Sequence, residues 1–268
     1  MENNTDYLKA YYENYDEDGR LRSRHGMVEY LTTMRYIEKY LKENDRILEI
    51  GAGTGRYSHA LAQKGYRVDA VELIEHNIDI FKSRTTDGEK ISVTRGNALD
   101  LSAFDDCTYD ITLLLGPMYH LYSVQEQKRA LSEAIRVTRP EGIVFAAYCS
   151  NDATIVLFCF GRGMLKSEHY KALVDPETFK ASSTPEELFE LYRKEDIDSL
   201  MADFPVDRLH YVGTDMATNY MREVVDSIDD ELYELFLKYH FCICERQDMV
   251  GVSHHILDVF RKKSSVSR

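Results

Sequence analysis

The stretch that decides the fold is residues 46–72, RILEIGAGTGRYSHALAQKGYRVDAVE. It begins with a short, mostly apolar run at 47–50, which is typical of a strand buried on both faces. A glycine-rich turn follows and leads into a predicted helix over 57–64, and a second predicted strand over 66–71 ends at Glu72. A helix N-terminus beside a glycine turn, with a carboxylate nearby, indicates a site for a nucleoside cofactor.

The spacing of the glycines distinguishes between two kinds of nucleoside cofactor. The dinucleotide fingerprint GxGxxG ends in glycine, but residues 51–56 read GAGTGR and place Arg56 there. The run EIGAGTG, with Glu49 two residues before the first glycine, resembles motif I of class I S-adenosylmethionine-dependent methyltransferases. The resemblance implies S-adenosyl-L-methionine as the cofactor, with Glu72 binding both ribose hydroxyls. A glycine turn that only packs the helix onto the sheet is the structural alternative.

Two further segments resemble the same family. A predicted strand at 91–93 leads to Asn97, where the family usually carries an aspartate that accepts a hydrogen bond from the adenine amino group. The side-chain oxygen of asparagine can also accept such a bond. A predicted strand at 109–115 leads into GPMYHL at 116–121, which resembles the GPLYHL-type segment of small-molecule methyltransferases. The resemblance covers roughly residues 45–150.

The resemblance implies a cofactor site formed by the glycine turn, the ends of neighbouring strands and an N-terminal helix. Tyrosines lie on neighbouring faces of that helix, and packing of the helix against the protein is the favoured alternative for them. The predicted cofactor-binding residues are Glu49, Gly51, Ala52, Gly53, Gly55, Glu72, Leu73, Asn97, Ala98, Leu115, Gly116, Tyr11 and Tyr15.

The predicted fold class is α/β, with a doubly wound, mostly parallel seven-stranded sheet whose strand 7 is antiparallel, in the order 3-2-1-4-5-7-6 that the resemblance implies. Residues 1–45 are predicted to form helices that cover the cofactor site, and residues 46–150 to form a Rossmann-like core. Residues 151–206 are interpreted as a helical lid over a substrate pocket, or alternatively as a solvent-facing elaboration. Residues 207–268 are expected to complete the sheet.

Three local signals place elements in the second half of the chain. Thr184 and the proline after it predict a helix that runs through 192. Residues 227–246 predict an amphipathic helix, with Ser227 and Asp230 at capping-box spacing. Alternation over 250–260 predicts the antiparallel strand.

Composition and charge limit the classes of partner. The net charge of −13 argues against a nucleic-acid partner, because phosphate binding requires a basic face. Five cysteines, an odd number without a disulfide framework, are typical of reduced thiols and of a cytoplasmic protein. The polar start of the chain predicts no signal peptide, and the longest apolar run, 153–160, is too short to span a bilayer. We therefore expect a small-molecule substrate and no membrane partner, while the oligomeric state stays open.

Catalysis of methyl transfer requires an aligned nucleophile, exclusion of water and, for a hydroxyl or protonated amine, a base. His120 is the first candidate base and Tyr119 the second, because both follow the fourth strand, where α/β sheets bind their ligands. A histidine that starts a helix and bonds to the backbone is the equal alternative for His120. His254 and His255 adjoin on a predicted strand and should face opposite sides, so no metal site is predicted.

The leading functional hypothesis is S-adenosylmethionine-dependent methylation of a small molecule at an O, N or S nucleophile. Methylation of a protein or RNA is an alternative, although the acidic charge disfavours RNA. NAD-dependent oxidoreduction is disfavoured by the GAGTGR spacing. A nucleoside-binding module without catalysis stays open, since intact binding motifs do not prove turnover.

Overall fold

The strands of the computed structural model lie in one sheet. The structure describes residues 2–14, 19 and 21–264. The strands are β1 (Arg46–Ile50), β2 (Arg67–Glu72), β3 (Ile91–Arg95), β4 (Tyr109–Leu114), β5 (Thr138–Ser150), β6 (Leu191–Tyr192), β7 (Val206–Gly213) and β8 (His255–Lys262). Their order is β3-β2-β1-β4-β5-β8-β7, and β6 pairs with the end of β5.

The helices connect the strands and lie on both faces of the sheet. The α-helices are α1 (Glu2–Tyr12), α2 (Arg24–Tyr40), α3 (Arg56–Gln63), α4 (Glu75–Arg84), α5 (Val124–Val137), α6 (Asn151–Thr154), α7 (Glu168–Leu173), α8 (Lys194–Met201), α9 (Arg222–Ser227) and α10 (Asp230–Ile243). Short 3₁₀ turns cover Pro117–His120, Met164–Lys166, Met216–Tyr220 and Val250–Val252, and Ile155–Phe160 is π-helical. None of the helices in the described part of the chain has the length and apolar character needed to cross a bilayer.

The predicted fold class and strand order are confirmed, but the strand count is not. Strands β1 to β6 pair in parallel, whereas β8 runs antiparallel to both β5 and β7. The additional strand is β6, in which Leu191 pairs with Cys149 and Tyr192 with Ser150. The sheet therefore has eight strands instead of seven, because β5 extends beyond the others and offers a free edge at its carboxyl end.

The core consists of two apolar layers, one on each face of the sheet. On one face α2 and α3 cover the sheet, and on the other face α5 and α8 cover it. Alternate residues of β8 enter different layers: Leu257 packs with the first pair of helices and Phe260 with the second. This burial on both sides explains the apolar runs of the inner strands.

The predicted helix over 184–192 is wrong beyond its first turn. The capping contact exists, since the Thr184 backbone N donates to the Glu187 carboxylate at 3.0 Å. The chain then leaves helical geometry at Leu188, whose φ is +69°. Pairing with β5 draws the following residues into β6, and the Tyr192 hydroxyl donates to the Met118 carbonyl at 2.8 Å.

Two other predicted boundaries are also corrected. Ser227 ends α9, and α10 begins at Asp230 because the Asp229 side chain accepts from the Leu232 backbone N at 2.8 Å. The antiparallel strand begins at His255, since residues 250–252 form a 3₁₀ turn.

The segment 151–206 has two parts with different surroundings. Its first part, through 190, lies past the carboxyl end of β5 and lines a cavity there. Its second part includes α8, whose Ile197 and Leu200 are buried in the core layer under α5. Only the first part has the position expected of a lid, and we call residues 151–190 the lid segment.

Candidate active site

The turns after β1, β2 and β4 meet at the carboxyl edge of the sheet, where parallel α/β sheets bind ligands. They enclose a cavity of about 230 Å³, which we call the turn cavity. The predicted site residues that line it are Glu49, Gly51, Ala52, Gly53, Glu72, Leu73, Asn97, Ala98, Leu115, Gly116, Tyr119 and His120. The cofactor-binding assignments of these residues stay predictions, but the fold brings all of them to one place.

The glycines of the turn have different surroundings. Gly53 has φ +56°, and a Cβ added there would meet no atom of the described residues within 4 Å. Gly55 has φ +87°, and a Cβ there would lie 2.4 Å from the ring of Phe81. Gly55 is also absent from the lining of the turn cavity. We therefore infer that a glycine is needed at this position because α3 packs closely against α4. Gly53 leaves an open cradle that a side chain would fill.

Glu72 is a buried carboxylate at the end of β2. One oxygen, Oε2, accepts from the Gly53 backbone N at 2.8 Å, and Oε1 accepts from the Ile74 backbone N at 2.9 Å. Burial raises the pKa of Glu72, and the backbone donors oppose that rise. A carboxylate has about four lone-pair positions, so Oε2 retains capacity for a ligand hydroxyl.

Glu49 and Asn97 line the same cavity with their side chains partly engaged. Burial raises the pKa of Glu49 to about 8, and the Ser58 hydroxyl donates to its carboxylate. Glu49 thus fastens the first turn of α3 to β1. The Asn97 side-chain oxygen accepts a hydrogen bond from the Leu99 backbone N at 2.9 Å. Only its remaining lone pair is therefore available to an adenine amino group.

The N-terminal helix contributes a different tyrosine from the one predicted. Tyr12 and Leu8, one turn apart on α1, line the turn cavity, and Tyr11 lines a neighbouring cavity instead. Tyr15 lies outside the described residues. The i, i+4 spacing of Leu8 and Tyr12 places both on one face of α1, and this spacing was the sequence signal for the residues that face the turn cavity. Because tyrosines lie on adjacent faces of the helix, the sequence alone did not show which of them faces the cavity.

A second cavity of about 720 Å³ lies between the turn cavity and the lid segment, and we call it the lid cavity. Aromatic side chains from α1, the lid segment and the turn after β4 line much of it; they are Tyr11, Tyr12, Tyr119, Phe158, Tyr170 and Phe189. Four residues line both cavities and therefore mark their junction; they are Tyr12, Glu29, Tyr119 and His255. Sequence reasoning missed Glu29 and His255, because they lie far from every motif.

His120 lines the turn cavity, and both of its ring nitrogens are engaged. Its Nδ1 donates to the Leu188 carbonyl at 2.6 Å, and its Nε2 accepts from the Tyr12 hydroxyl at 2.9 Å. Burial lowers its pKa to about 4, so the ring is neutral near pH 7. This geometry favours a role in joining the lid segment to α1, and a role as base stays a prediction that requires Tyr12 to move.

The expected separation of His254 and His255 is wrong. Their ring centroids are 4.5 Å apart, and both rings lie beside Asp215, because β8 begins only at His255. The Asp215 oxygens already accept four short bonds, from Ser253 Oγ (2.6 Å), the His254 backbone N (2.8 Å), Asn219 Nδ2 (2.6 Å) and His255 Nδ1 (2.7 Å). Those bonds occupy the lone pairs of Asp215, which thereby anchors this loop.

The core of this chain is similar in sequence to known methyltransferases. Residues 47–142 match the family of methyltransferase domains. Demethylmenaquinone methyltransferase of Clavibacter sepedonicus is 34% identical over 99 residues, which cover 37% of this chain and 38% of that protein. The chain spans less than half the length of the first curated relatives that it matches.

Solved structures extend the likeness to nearly the whole fold. Phosphoethanolamine N-methyltransferase 1 of Haemonchus contortus has a TM-score of 0.61 at 16% identity, covering 100% of this chain and 50% of that one. The PH0226 protein of Pyrococcus horikoshii has a TM-score of 0.60 at 18% identity, covering 95% and 99%. At these identities the likeness shows a shared fold. Fold and match together identify a class I methyltransferase domain, and the family predicted from the sequence, that of S-adenosylmethionine-dependent methyltransferases, is confirmed for this core.

Proposed function

We propose that this protein transfers a methyl group from S-adenosylmethionine to a small-molecule acceptor. The observation that carries the proposal is the junction of two cavities: one built around a glycine cradle and Glu72, the other beneath the lid segment. A cofactor in the turn cavity and an acceptor in the lid cavity would meet where Glu29, Tyr119 and His255 line both. In-line displacement requires such an approach from two sides.

The residues of the turn cavity fit the predicted cofactor. The open space at Gly53 allows a ligand to approach the backbone, and the buried Glu72 retains acceptor capacity for ribose hydroxyls. When bound, the cofactor supplies a methyl group already activated by its sulfonium. The protein then has to orient the acceptor, exclude water and, where necessary, remove a proton.

The lid cavity supports a small acceptor. Its volume of about 720 Å³ is within the range of small-molecule sites, roughly 300–1,000 Å³. The lid segment lines one side of it, and we expect that side to shield a bound acceptor from solvent. The names of two proteins above specify demethylmenaquinone and phosphoethanolamine as the acceptors of those proteins. The net charge of −13 disfavours RNA as acceptor.

Calorimetry with S-adenosylmethionine, S-adenosylhomocysteine and NAD tests the cofactor assignment. We expect both sulfur nucleosides to bind and NAD to give no heat. Binding of NAD without either sulfur nucleoside would refute the proposal. A metabolite screen with methyl-labelled S-adenosylmethionine then tests turnover. Binding of the cofactor without transfer of the label to any metabolite would favour a nucleoside-binding module without catalysis.

A further inference from the structure

The turn cavity contains four acidic side chains and one arginine. Glu49 and Glu72 line it from β1 and β2. Glu29 and Glu126 line it from α2 and α5. Among the described residues of this lining, Arg56, the first residue of α3, is the only arginine or lysine. An anionic group of a ligand needs a cation in such a cavity, because a carboxylate buried among carboxylates is unfavourable unless it is paired.

The two histidines of the lining do not supply that cation. His120 is neutral, since burial lowers its pKa to about 4. Burial opposes a charge on His255 as well, but the carboxylates of Glu29 and Asp215 raise its pKa well above the ordinary value. Its Nδ1 lies 2.7 Å from Oδ2 of Asp215 and 3.3 Å from Oε2 of Glu29. The charge of His255 is therefore balanced within the protein.

Arg56, by contrast, has neutral neighbours. Its Nη2 donates to the Met27 sulfur, a weak acceptor, at 3.0 Å, and its Cζ lies 4.4 Å from the centre of the Tyr30 ring. Its buried Nε has no hydrogen-bond partner, and none of the described carboxylates pairs with the guanidinium. A guanidinium has five N–H donors, so most of the hydrogen-bonding capacity of Arg56 is unused.

The predicted cofactor contacts direct the amino-acid end of the cofactor towards this arginine. Asn97, the predicted adenine ligand, follows β3, and Glu72, the predicted ribose ligand, ends β2. The strands lie in the order β3-β2-β1-β4. An extended cofactor with its adenine at β3 and its ribose at β2 therefore has its amino-acid end at the turn after β1, which leads directly into Arg56.

We propose that Arg56 binds the carboxylate of the methionine end of the cofactor. This inference rests on the proposed function, in which S-adenosylmethionine is the methyl donor. The guanidinium fork matches the two oxygens of a carboxylate and forms charge-assisted hydrogen bonds with them. The inference also gives a role to the residue at which GAGTGR departs from the dinucleotide fingerprint. The carboxylate takes no part in methyl transfer, so Arg56 is a binding residue and not a base.

The alternative is that Arg56 only joins α3 to α2 through Met27 and Tyr30. In that case its loss disturbs one wall of the cavity and weakens every cofactor-like ligand to a similar extent. A direct contact instead weakens only those ligands that carry the carboxylate. The ratio of two affinities therefore distinguishes the two roles.

Calorimetry with two nucleosides measures this ratio without turnover. The probes are S-adenosylhomocysteine and S-adenosyl-3-thiopropylamine, which differ only in the carboxylate and carry no methyl group to transfer. We expect the wild type to bind S-adenosylhomocysteine about tenfold or more tightly, because charge-assisted hydrogen bonds are lost with the carboxylate. Equal affinity for the two compounds, or tighter binding of the amine, would overturn the inference alone. If neither compound binds, the proposed function fails first.

Variants of Arg56 assign the preference to this side chain. Arg56→Gln should bring the ratio close to one by weakening S-adenosylhomocysteine and leaving the amine unchanged. Arg56→Lys should keep part of the preference, because the charge stays and the fork is lost. Arg67→Gln is the matched control, since Arg67 is exposed at the start of β2, away from the carboxyl edge of the sheet.

Two results with a folded Arg56→Gln variant would refute the role of Arg56. A preference for S-adenosylhomocysteine that persists would assign the carboxylate to another group. Equal weakening of both nucleosides would show that Arg56 only packs α3 against α2. Circular dichroism checks the folding of each variant, and the comparison on the wild type does not depend on any of them.

Discussion

Two glycines two residues apart should respond differently to the same substitution. Gly53→Ala should leave the protein folded and impair cofactor binding, and Gly55→Ala should destabilise the fold. Both have positive φ, so each alanine incurs the left-handed strain of about 1–2 kcal/mol. The substitutions differ only in what the new methyl group meets.

The structure sets the size of the difference. At Gly55 the added Cβ would lie 2.4 Å and 2.5 Å from two ring atoms of Phe81, whose side chain is 1% exposed and cannot swing into solvent. Overpacking of a core typically costs another 1–3 kcal/mol. We therefore expect Gly55→Ala to lower the free energy of unfolding by about 2–5 kcal/mol, and Gly53→Ala by about 1–2 kcal/mol.

Urea unfolding followed by circular dichroism measures the stability, and calorimetry with S-adenosylhomocysteine measures the affinity. Gly53→Ala should bind about tenfold or more weakly, because its methyl group enters the cradle, a difference of about 1.4 kcal/mol. Adding Phe81→Leu to Gly55→Ala should recover part of the lost stability, since the two side chains then no longer overlap.

Several results would refute this reasoning. Undiminished affinity of Gly53→Ala would show that the cofactor does not approach this glycine. A Gly55→Ala variant no less stable than Gly53→Ala would show that the contact with Phe81 relaxes at no cost. Strictly additive effects of Gly55→Ala and Phe81→Leu would exclude a direct clash between them.

Three further predictions concern single side chains. Glu72→Ala should weaken binding of S-adenosylhomocysteine at least tenfold in calorimetry, because hydrogen bonds to a charged group contribute roughly 1.5–3 kcal/mol each; unchanged affinity would exclude it as the ribose ligand. His120→Ala should lower the free energy of unfolding in urea by about 2–4 kcal/mol, because the bonds to Tyr12 and to the lid segment are lost; a fully stable variant with transfer slowed at least a hundredfold would instead identify a base. Asp215→Asn should cost most stability between about pH 4 and pH 6.5, the ordinary pKa values of aspartate and histidine, and progressively less as the pH rises from there towards the raised pKa of His255. The lowered pKa of Asp215 contributes stability that is lost as the pH falls, and the raised pKa of His255 contributes stability that is lost as the pH rises. If urea titrations give wild type and variant free energies of unfolding whose difference stays constant from about pH 3 to pH 10, the ion pair is contradicted.

The sequence by itself determined the core of this protein, because its signals there are local. The apolar runs of β1 and β4 need burial on both faces, and this alone predicts inner parallel strands. The glycines between β1 and α3 require positive φ within a few residues of each other, which gives the turn and its ligand edge. Strand order and the placement of Glu72 followed from the same stretch and the family it resembles.

The tertiary structure decided whatever depends on partners that are distant in the chain. Residues 184–192 carry a good helix start, yet pairing with the free edge of β5 draws their end into a strand. Gly53 and Gly55 look alike in sequence, and only the ring of Phe81 separates a ligand cradle from a packing contact. The junction itself joins Glu29 on α2 to His255 at the start of β8. No local pattern encodes that contact, because it arises only when the last strand inserts between β5 and β7 and its first residue comes to lie beside α2.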